Sequence, residues 1–330
     1  MKLSVLDQSI SLAGSSEDAA IRDTLDLAVQ CEQLGYHRFW LSEHHSLATI
    51  VGTAPEILMA AVAARTMRIR IGSAGVMLPH YSALKVAEQF RVLEALAPGR
   101  IDLGVGRAPG ADMRTAQLLN PDAYAAAEKF PQQIRDLQWW TAGEPHHGVI
   151  AHPRGPHRPQ IWVLGSSDYG AQLAAHFGLP YAFAYFFADG QGCEQALELY
   201  RTLYKPSERH PAPQPTICVW ALAADSEAEA LHHALSRERW RVDRMRGALG
   251  PLKSPDDIAA RGFSADEQAI VDATRSKALV GTAAQVGAKM RALAHALELD
   301  ELVVNTWTHD PAVRRHSYAL LARALEIAPA

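Results

Sequence analysis

Hydrophobic residues along the chain alternate between two patterns. Short apolar runs, typical of strands buried on both faces, are separated by longer segments in which apolar residues recur at helical spacing. The runs that predict strands are Lys2–Leu6, Arg38–Leu41, Arg68–Ser73, Arg100–Gly104, Gln160–Leu164, Tyr181–Phe186, Thr216–Leu222 and Glu301–Asn305. The segments that predict helices are Glu17–Leu34, Ala54–Arg65, Ala83–Leu96, Pro121–Trp140, Gly170–Phe177, Cys193–Tyr204, Ser226–Leu249, Val286–Leu297 and Pro311–Ile327.

A strand followed by a helix, repeated about eight times, predicts a parallel sheet with helices outside it. The number of repeats favours a closed (β/α)8 barrel of the TIM type over an open doubly wound sheet. No linker interrupts the alternation, so we expect residues 1–330 to form a single domain. In such a barrel the active site lies at the carboxyl ends of the strands.

Two segments break the alternation and predict insertion loops at the barrel mouth. Thr141–Pro159 is rich in Pro, Gly and His, and reads as a long loop with room for a short hairpin. Gly250–Lys277 carries polar residues and prolines before the last predicted strand. Long ordered loops in compact domains often act as lids, and a solvated insertion without a role is an equal alternative.

Composition excludes several classes of function. The chain has 330 residues, 48% of them hydrophobic, and a net charge of −4 without a long basic run, so neither nucleic acid nor an anionic membrane is expected as a partner. No apolar window suffices for a signal peptide or a membrane span. Cys31, Cys193 and Cys218 are scattered and odd in number, which favours free thiols in the cytoplasm.

The residues directly after the predicted strands carry most of the candidate chemistry. The second strand ends in SEHH, the third in SAGVMLPH, the fourth in GVGRAPG, the fifth in GSSDYG and the last in NTWTHD. Because the strands of a parallel barrel all end at one face, we expect these residues to meet there.

The stretch FWLSEHHSLAT places a carboxylate, Glu43, and two imidazoles, His44 and His45, after a buried run. A zinc site would need a further ligand, such as His80 or His309, but the first strand lacks the HxH pair usual in barrel metallohydrolases. A proton donor or acceptor at the barrel mouth is the second interpretation. A structural histidine, hydrogen-bonded by Glu43, is the third.

Two of the strand-end loops are suited to phosphate. GVGRAPG departs from a dinucleotide fingerprint because its third glycine comes one place late, but it presents Arg107 on a glycine-rich loop. GSSDYG offers hydroxyls and backbone N–H groups at the start of a helix, where an anion binds favourably. A surface salt bridge of Arg107 and N-capping by Ser167 or Asp168 are the competing interpretations.

The same segments resemble the bacterial luciferase-like, flavin-dependent monooxygenases. The matching stretches are GYHRFWLSEHH (35–45), IRIGSAGVMLPHYSALKVAEQF (69–90), LAPGRIDLGVGRAPG (96–110), LGSSDYGAQLAAHFGLPYAFA (164–184), ALVGTA (278–283) and DELVVNTWTHD (300–310). They cover almost the whole chain in the family's order. The resemblance implies a luciferase-like (β/α)8 barrel, commonly a dimer, that binds reduced FMN at its mouth.

Carried over residue by residue, the resemblance implies a site for FMN (as FMNH2). The family's catalytic histidine falls on His44 and its phosphate-binding arginine on Arg107. The loop after strand 5 implies phosphate binding, and the bulge after strand 3, often with a non-prolyl cis peptide, implies a bed for the flavin ring. These cofactor-binding positions are Ser166, Ser167, Tyr169 and Gly170 in the loop, and Ser73, Ala74 and Gly75 in the bulge.

The implied reaction is a monooxygenation of paired donors, in which reduced FMN and O2 form a C4a-hydroperoxyflavin that oxidises a small organic substrate. Without a recognisable NAD(P)H-binding segment, we expect a separate flavin reductase as partner. Gly106 stands where luciferase has a cysteine, and luciferase's long mobile loop has no counterpart, so light emission is not implied. An F420-dependent hydride-transfer enzyme, a non-catalytic flavin-binding protein and a metal-dependent hydrolase remain the alternatives.

Overall fold

A computed structural model describes residues 1–275 and 277–328 of the protein. Most of its strands coincide with the short apolar runs of the sequence. The strands are β1 (Lys2–Asp7), β2 (Arg38–Leu41), β3 (Arg70–Met77), β4 (Ile101–Gly106), β5 (Gln160–Gly165), β6 (Tyr181–Phe183), β7 (Pro215–Ala224), β8 (Leu279–Thr282) and β9 (Glu301–Asn305).

Helices fill the segments between the strands. They are α1 (Glu17–Leu34), α2 (Pro55–Arg65), α3 (Ala83–Leu96), α4 (Met113–Leu119), α5 (Ala123–Glu128), α6 (Phe130–Ala142), α7 (Asp168–Phe177), α8 (Cys193–Leu203), α9 (Glu227–Met245), α10 (Pro255–Arg261), α11 (Ala265–Arg275), α12 (Ala283–Ala296) and α13 (Pro311–Ala324), with 3-10 turns at Leu78–His80 and Tyr185–Phe187. Among the described residues no helix is long and apolar enough to cross a bilayer.

The strands close into the predicted parallel (β/α)8 barrel. Strands β1 to β7 pair in chain order, and β9 lies between β7 and β1. The remaining strand, β8, was not predicted. In the described residues it pairs with Ala221–Ala224 at the carboxyl end of β7 and is not part of the closed barrel. Its four residues contain Gly281, which removes the clear apolar run on which a prediction depends.

Several predicted elements have other bounds in the structure; β3, for example, extends to Met77, and α9 ends at Met245. For two further elements the cause is local. The helix predicted over Pro121–Trp140 is interrupted after Glu128, and α6 begins at Phe130 with Pro131 in its first turn, where the missing N–H costs nothing. The strand predicted over Tyr181–Phe186 ends at Phe183, because the chain turns into a 3-10 helix at Tyr185.

The two predicted insertions differ in kind. Thr141–Pro159 is mostly loop and contains the expected short hairpin, closed by reciprocal backbone bonds between His146 and Val149. Gly250–Lys277 is not a loop, because it contains α10 and α11; within it, Ser276 lies outside the described residues. Arg275 pairs with Glu238 of α9 at 2.6 Å, so this segment is fastened to the neighbouring helix.

Inward-facing side chains fill the barrel in layers. At the amino ends of the strands, Arg38 pairs with Asp102 at 2.8 Å and with Glu301 at 2.9 Å. Burial alone would raise the pKa of Asp102, but the charges of Arg38 and Arg70 outweigh it and lower this pKa. Above this network lies an apolar layer formed by Leu6, Trp40, Trp162, Ala182, Cys218 and Val303. These layers fill the barrel interior toward the amino ends of the strands, which leaves the carboxyl ends as the place for a ligand within the barrel.

Candidate functional site at the barrel mouth

A cavity of about 310 Å³ opens above the apolar layer, at the carboxyl ends of the strands. Leu6, Trp40, Cys218 and Val303 form its floor. We call it the central cavity. All but one of the site residues predicted from the sequence line it: His44, Ala74, Gly75, Arg107, Ser166, Ser167, Tyr169 and Gly170.

The exception is Ser73, which lies beneath the cavity wall. Its side chain is fully buried and its hydroxyl donates to the carbonyl of Gly104 at 2.8 Å. The pairing register between β3 and β4 shifts between Ser73 and Val76, so the predicted bulge is present, and the peptide bond between Ala74 and Gly75 is cis. Ser73 therefore fastens the bulge, whereas Ala74 and Gly75 form the wall.

Gly75 is required because β3 packs closely against β4 and β5 at this point. A Cβ atom at this position would lie 2.5 Å from Cδ1 of Leu164 and 2.9 Å from the carbonyl oxygen of Gly104. Neither contact is compatible with a side chain, and the second involves backbone. The glycine thus lets β3 approach β4 closely and leaves the cavity face of the bulge to the main chain and Ala74.

His44 follows β2 and is held by one backbone and one side-chain hydrogen bond. Its backbone N–H donates to Gly52 at 3.0 Å, and Nδ1 lies 3.3 Å from the hydroxyl of Ser42. Burial lowers the pKa of His44 to about 4, and the nearby carboxylate of Glu43 only partly opposes this effect. The imidazole is consequently neutral at pH 7, with one N–H group and one unprotonated nitrogen, and burial makes it a weaker base than a free imidazole.

Glu43 and His45 hold the loop in place. The buried carboxylate of Glu43 accepts bonds from Nε2 of His45 at 2.8 Å, from the hydroxyl of Tyr81 at 2.6 Å and from the backbone N–H of Met77 at 3.0 Å. The backbone N–H of His45 donates to Gly110 at 2.9 Å. These bonds join the ends of β2, β3 and β4, as expected of structural residues.

Arg107 lies on the loop after β4 with its guanidinium 4.2 Å from the ring centroid of Tyr169. The side chain is exposed, and no carboxylate in residues 1–275 or 277–328 lies within ion-pair distance of it. The surface salt bridge considered as an alternative is therefore absent from the described part of the chain. A stacked guanidinium without a partner can bind an anion through its N–H groups.

The loop after β5 has free donors facing the same cavity. Ser167 is the N-cap residue of α7, but its side chain makes no capping hydrogen bond. Asp168, the one acid in the loop, accepts a bond from Gln195 at 2.9 Å and does not line the cavity. Capping thus does not explain the serines, and the start of α7 can receive an anion opposite Arg107.

A second cavity, of about 500 Å³, adjoins the first, and we call it the side cavity. The two share lining residues, among them His44 and Gln8. Gln8 follows β1, and its Oε1 accepts bonds from Nδ2 of Asn305 at 2.5 Å and from Nε1 of Trp307 at 3.1 Å. Sequence reasoning missed Gln8, although the rule that barrel chemistry follows each strand applies to the first strand too.

The histidines considered for zinc at this mouth have other partners. Nε2 of His80 lies 2.7 Å from the carbonyl of Pro109, and that of His309 lies 3.0 Å from the carbonyl of Ala13. In the described ranges, the one group of potential ligand atoms close enough to share an ion is distant from His44 along the chain. It comprises Asp136, His146 and His147.

Comparison with known proteins agrees with this geometry. A sequence model of the luciferase-like monooxygenase family matches residues 1–301, and the chain belongs to that family. It is 40% identical to the luciferase-like monooxygenase of Escherichia coli K12, over 96% of this chain and 95% of that protein. It is 33% identical to the N-acetyl-S-alkylcysteine monooxygenase of Bacillus subtilis, over 98% of both.

Solved structures share the fold. The crystal structure of apo-MsnO8 superposes with a TM-score of 0.93 at 33% identity, covering 100% of this chain and 99% of that one. Two more distant barrels are the FMN complex of the oxygenating constituent of 3,6-diketocamphane monooxygenase (TM-score 0.71, 21% identity) and an F420-dependent secondary alcohol dehydrogenase (0.65, 14%). At such identities the likeness extends to the fold alone.

Proposed function

We propose that the protein is a monooxygenase that binds reduced FMN in the central cavity and uses O2 to oxidise a small organic substrate. The observation that carries the proposal is Arg107, which has no ion-pair partner among the described residues, in one cavity with Ser166 and Ser167 of the loop before α7 and with the neutral His44.

The residues present fit a flavin phosphate and ring. Arg107 supplies a cation, Ser166 and Ser167 supply hydroxyl donors, and the first turn of α7 supplies backbone N–H groups, including that of Gly170. The wall built from Ala74 and Gly75 has little side chain, so a flat ring can lie against it. The FMN complex of the related barrel supports FMN as the ligand here.

Each part of the site has one task in this proposal. Arg107 and the serines bind the phosphate, and Tyr169 orients Arg107 by stacking. The apolar floor excludes water from the barrel side of the ring. Reduced flavin, when bound, supplies the electrons that activate O2. His44 accepts a proton at its ring nitrogen on the wall that both cavities share.

Reduced flavin has to come from another source, and we propose a separate flavin reductase as a partner and a homodimer as the assembly. An F420-dependent hydride transfer is the second candidate. The observation in its favour is a pair of further arginines at the mouth, Arg237 and Arg244, which suit a cofactor with a longer anionic tail.

The test compares FMN with riboflavin, which lacks the phosphate. Anaerobic titration should show that the protein binds reduced FMN at least about tenfold more tightly than reduced riboflavin, since charge-assisted phosphate bonds are lost. Arg107→Gln should remove most of this difference, whereas Arg22→Gln, an exposed arginine on α1, should preserve it.

Failure to bind reduced FMN would overturn the proposal. Tight binding of reduced F420 in its place would favour hydride transfer. Equal affinity for FMN and riboflavin in the unmodified protein would instead contradict the assignment of Arg107 and the serines to the phosphate.

A further inference from the structure

The side cavity has a chemical character that the proposed function does not use. Its walls include three indole rings, those of Trp220, Trp240 and Trp307. Trp240 and Trp307 pack edge to face, with ring centroids 4.7 Å apart. This surface suits a flat or branched apolar group.

Two arginines of α9, Arg237 and Arg244, also line this cavity, and among the described residues neither has a carboxylate within ion-pair distance. Arg237 lies 4.3 Å above the ring of Trp220, and its polar contact is a long one, 3.5 Å to the carbonyl of Phe186. Arg244 lies between the rings of Phe187 and Trp240, 5.7 and 5.6 Å from their centroids. In the described residues neither guanidinium forms an ion pair.

The other arginines of α9 show that this absence is local. Arg239 pairs with Asp243 at 2.7 Å, and Arg241 pairs with Asp189 at 2.7 Å. Neither of them lines the side cavity. On α9, the arginines that pack against other elements form ion pairs, whereas the two that line the side cavity form none with the described residues.

The remaining groups of the cavity do not neutralise this charge. Within the described part of the chain, the one carboxylate in the lining is that of Asp112, which is engaged by the backbone N–H and the hydroxyl of Thr115 at 3.0 and 2.9 Å. His45 is bonded to Glu43.

Burial, followed by the neighbouring charge of Arg241, lowers the pKa of Arg237 to about 9, and the charges of Asp189 and Glu238 oppose this shift only in part. A half-buried cation without an ion-pair partner is unfavourable, and an anion brought in by a ligand would offset this cost. A guanidinium stacked on an aromatic ring keeps its N–H edge free for a planar oxyanion.

From these contacts we infer that the side cavity binds an organic oxyanion, a small molecule with an aromatic or branched apolar body and a carboxylate or sulfonate head. The head is held by Arg237 and Arg244, and the body packs on the three indoles. The end opposite the head then faces His44 and Gln8, where the two cavities meet. That this anion is the substrate rests on the proposed function, which places the flavin in the central cavity.

Titration calorimetry with 2-naphthylacetate and its neutral counterpart, 2-naphthylacetamide, tests the inference. We expect the carboxylate to bind the full-length protein at least about tenfold more tightly than the amide. Arg244→Gln changes an exposed side chain and should fold normally, and both it and Arg237→Gln should reduce the preference to less than about threefold. Arg22→Gln, which removes the same charge on α1, should leave it unchanged.

Equal binding of the two probes, or a preference that survives in both variants, would overturn the inference. So would a loss of reduced F420 affinity in these variants together with an unchanged naphthylacetate preference, because the arginines would then serve a cofactor tail. The probes are titrated without flavin, so this result is independent of whether reduced FMN binds. A protein that binds the carboxylate but not FMN would contradict only the proposed function.

Discussion

His44 combines a neutral imidazole with a position on the wall between the two cavities. A histidine on the surface would be half protonated near its ordinary pKa, but burial holds this one in its neutral form at pH 7. The sequence left open whether the residue binds metal, moves a proton or supports the loop. In the structure Glu43 supports the loop, and His44 lines the two cavities.

Replacing His44 should separate binding from reactivity. In His44→Gln we expect reduced FMN to bind within about threefold of the unmodified affinity, because the phosphate groups are elsewhere. The rate at which bound reduced flavin is reoxidised by O2 should change about tenfold or more, since glutamine cannot accept a proton. Stopped-flow absorbance measures this rate, with His295→Gln, an exposed histidine on α12, as control. An unchanged rate in His44→Gln would exclude a role in proton transfer.

At the scale of elements, the mouth depends on bonds between strand ends rather than within strands. Glu43 alone joins the loop after β2 to the end of β3 at Met77 and to Tyr81 beyond it. His45 and His80 then attach the loop after β4, through the carbonyls of Gly110 and Pro109. Arg107 belongs to that loop, so its position depends on residues that follow β2 and β3.

Glu43→Gln should therefore destabilise the protein. An amide can still accept one bond, but it leaves a buried partner unsatisfied, which costs about 1–3 kcal/mol. Urea denaturation should show a lower midpoint with an unchanged slope. Glu198→Gln, an exposed glutamate on α8, is the matched control and should leave the midpoint unchanged. If Glu43→Gln were as stable as the control, the carboxylate would not be what fastens the strand ends.

For the whole molecule, buried ionisable groups link stability to pH. The pKa values of His37, His44 and His210 are each lowered to about 4, in every case mainly by burial. In the unfolded chain these histidines take up protons near pH 6.5, whereas in the folded state they do so only near pH 4. Their stabilising contribution is thus complete above about pH 6.5 and declines as the pH falls toward 4.

Denaturation midpoints measured between pH 7.5 and 4 should accordingly fall below about pH 6.5. His210→Gln removes a buried titrating ring and should make this decline shallower, whereas the exposed His295→Gln should preserve its slope. A midpoint independent of pH over this range would contradict the proposed burial effect. The ion network of Asp102, whose pKa is lowered, adds its own loss of stability only at more acidic pH.

Much of the fold was predictable because its signals are local. The barrel strands are apolar runs in sequence, and their alternation with helices determines the parallel topology. The sequence pattern of an element was weak where tertiary contacts, rather than its own hydrophobic periodicity, stabilise that element. β8 contains Gly281 and pairs with the end of β7, and α10 has seven residues, with Pro255 at its start and Gly262 after its end.

The site was predictable in part for the same reason. His44, Arg107 and the serines follow strands directly, so the barrel rule found them. Ser73 was assigned to the cavity, yet the shift in register turns it beneath the wall. Gln8 and the side cavity were missed, since nothing local shows that residues after β1, β7 and β9 meet beside α9.

The sequence by itself determined the architecture and the residue types at each strand end, because hydrophobic periodicity and strand-to-helix order are properties of neighbours along the chain. The tertiary structure alone decided which charged groups have partners. Arg107, Arg237 and Arg244 look like other arginines in the sequence, but only the packed barrel shows that no carboxylate of the described residues lies within ion-pair distance of them. Pairing depends on distances between remote segments, and those distances determine where an anion can bind.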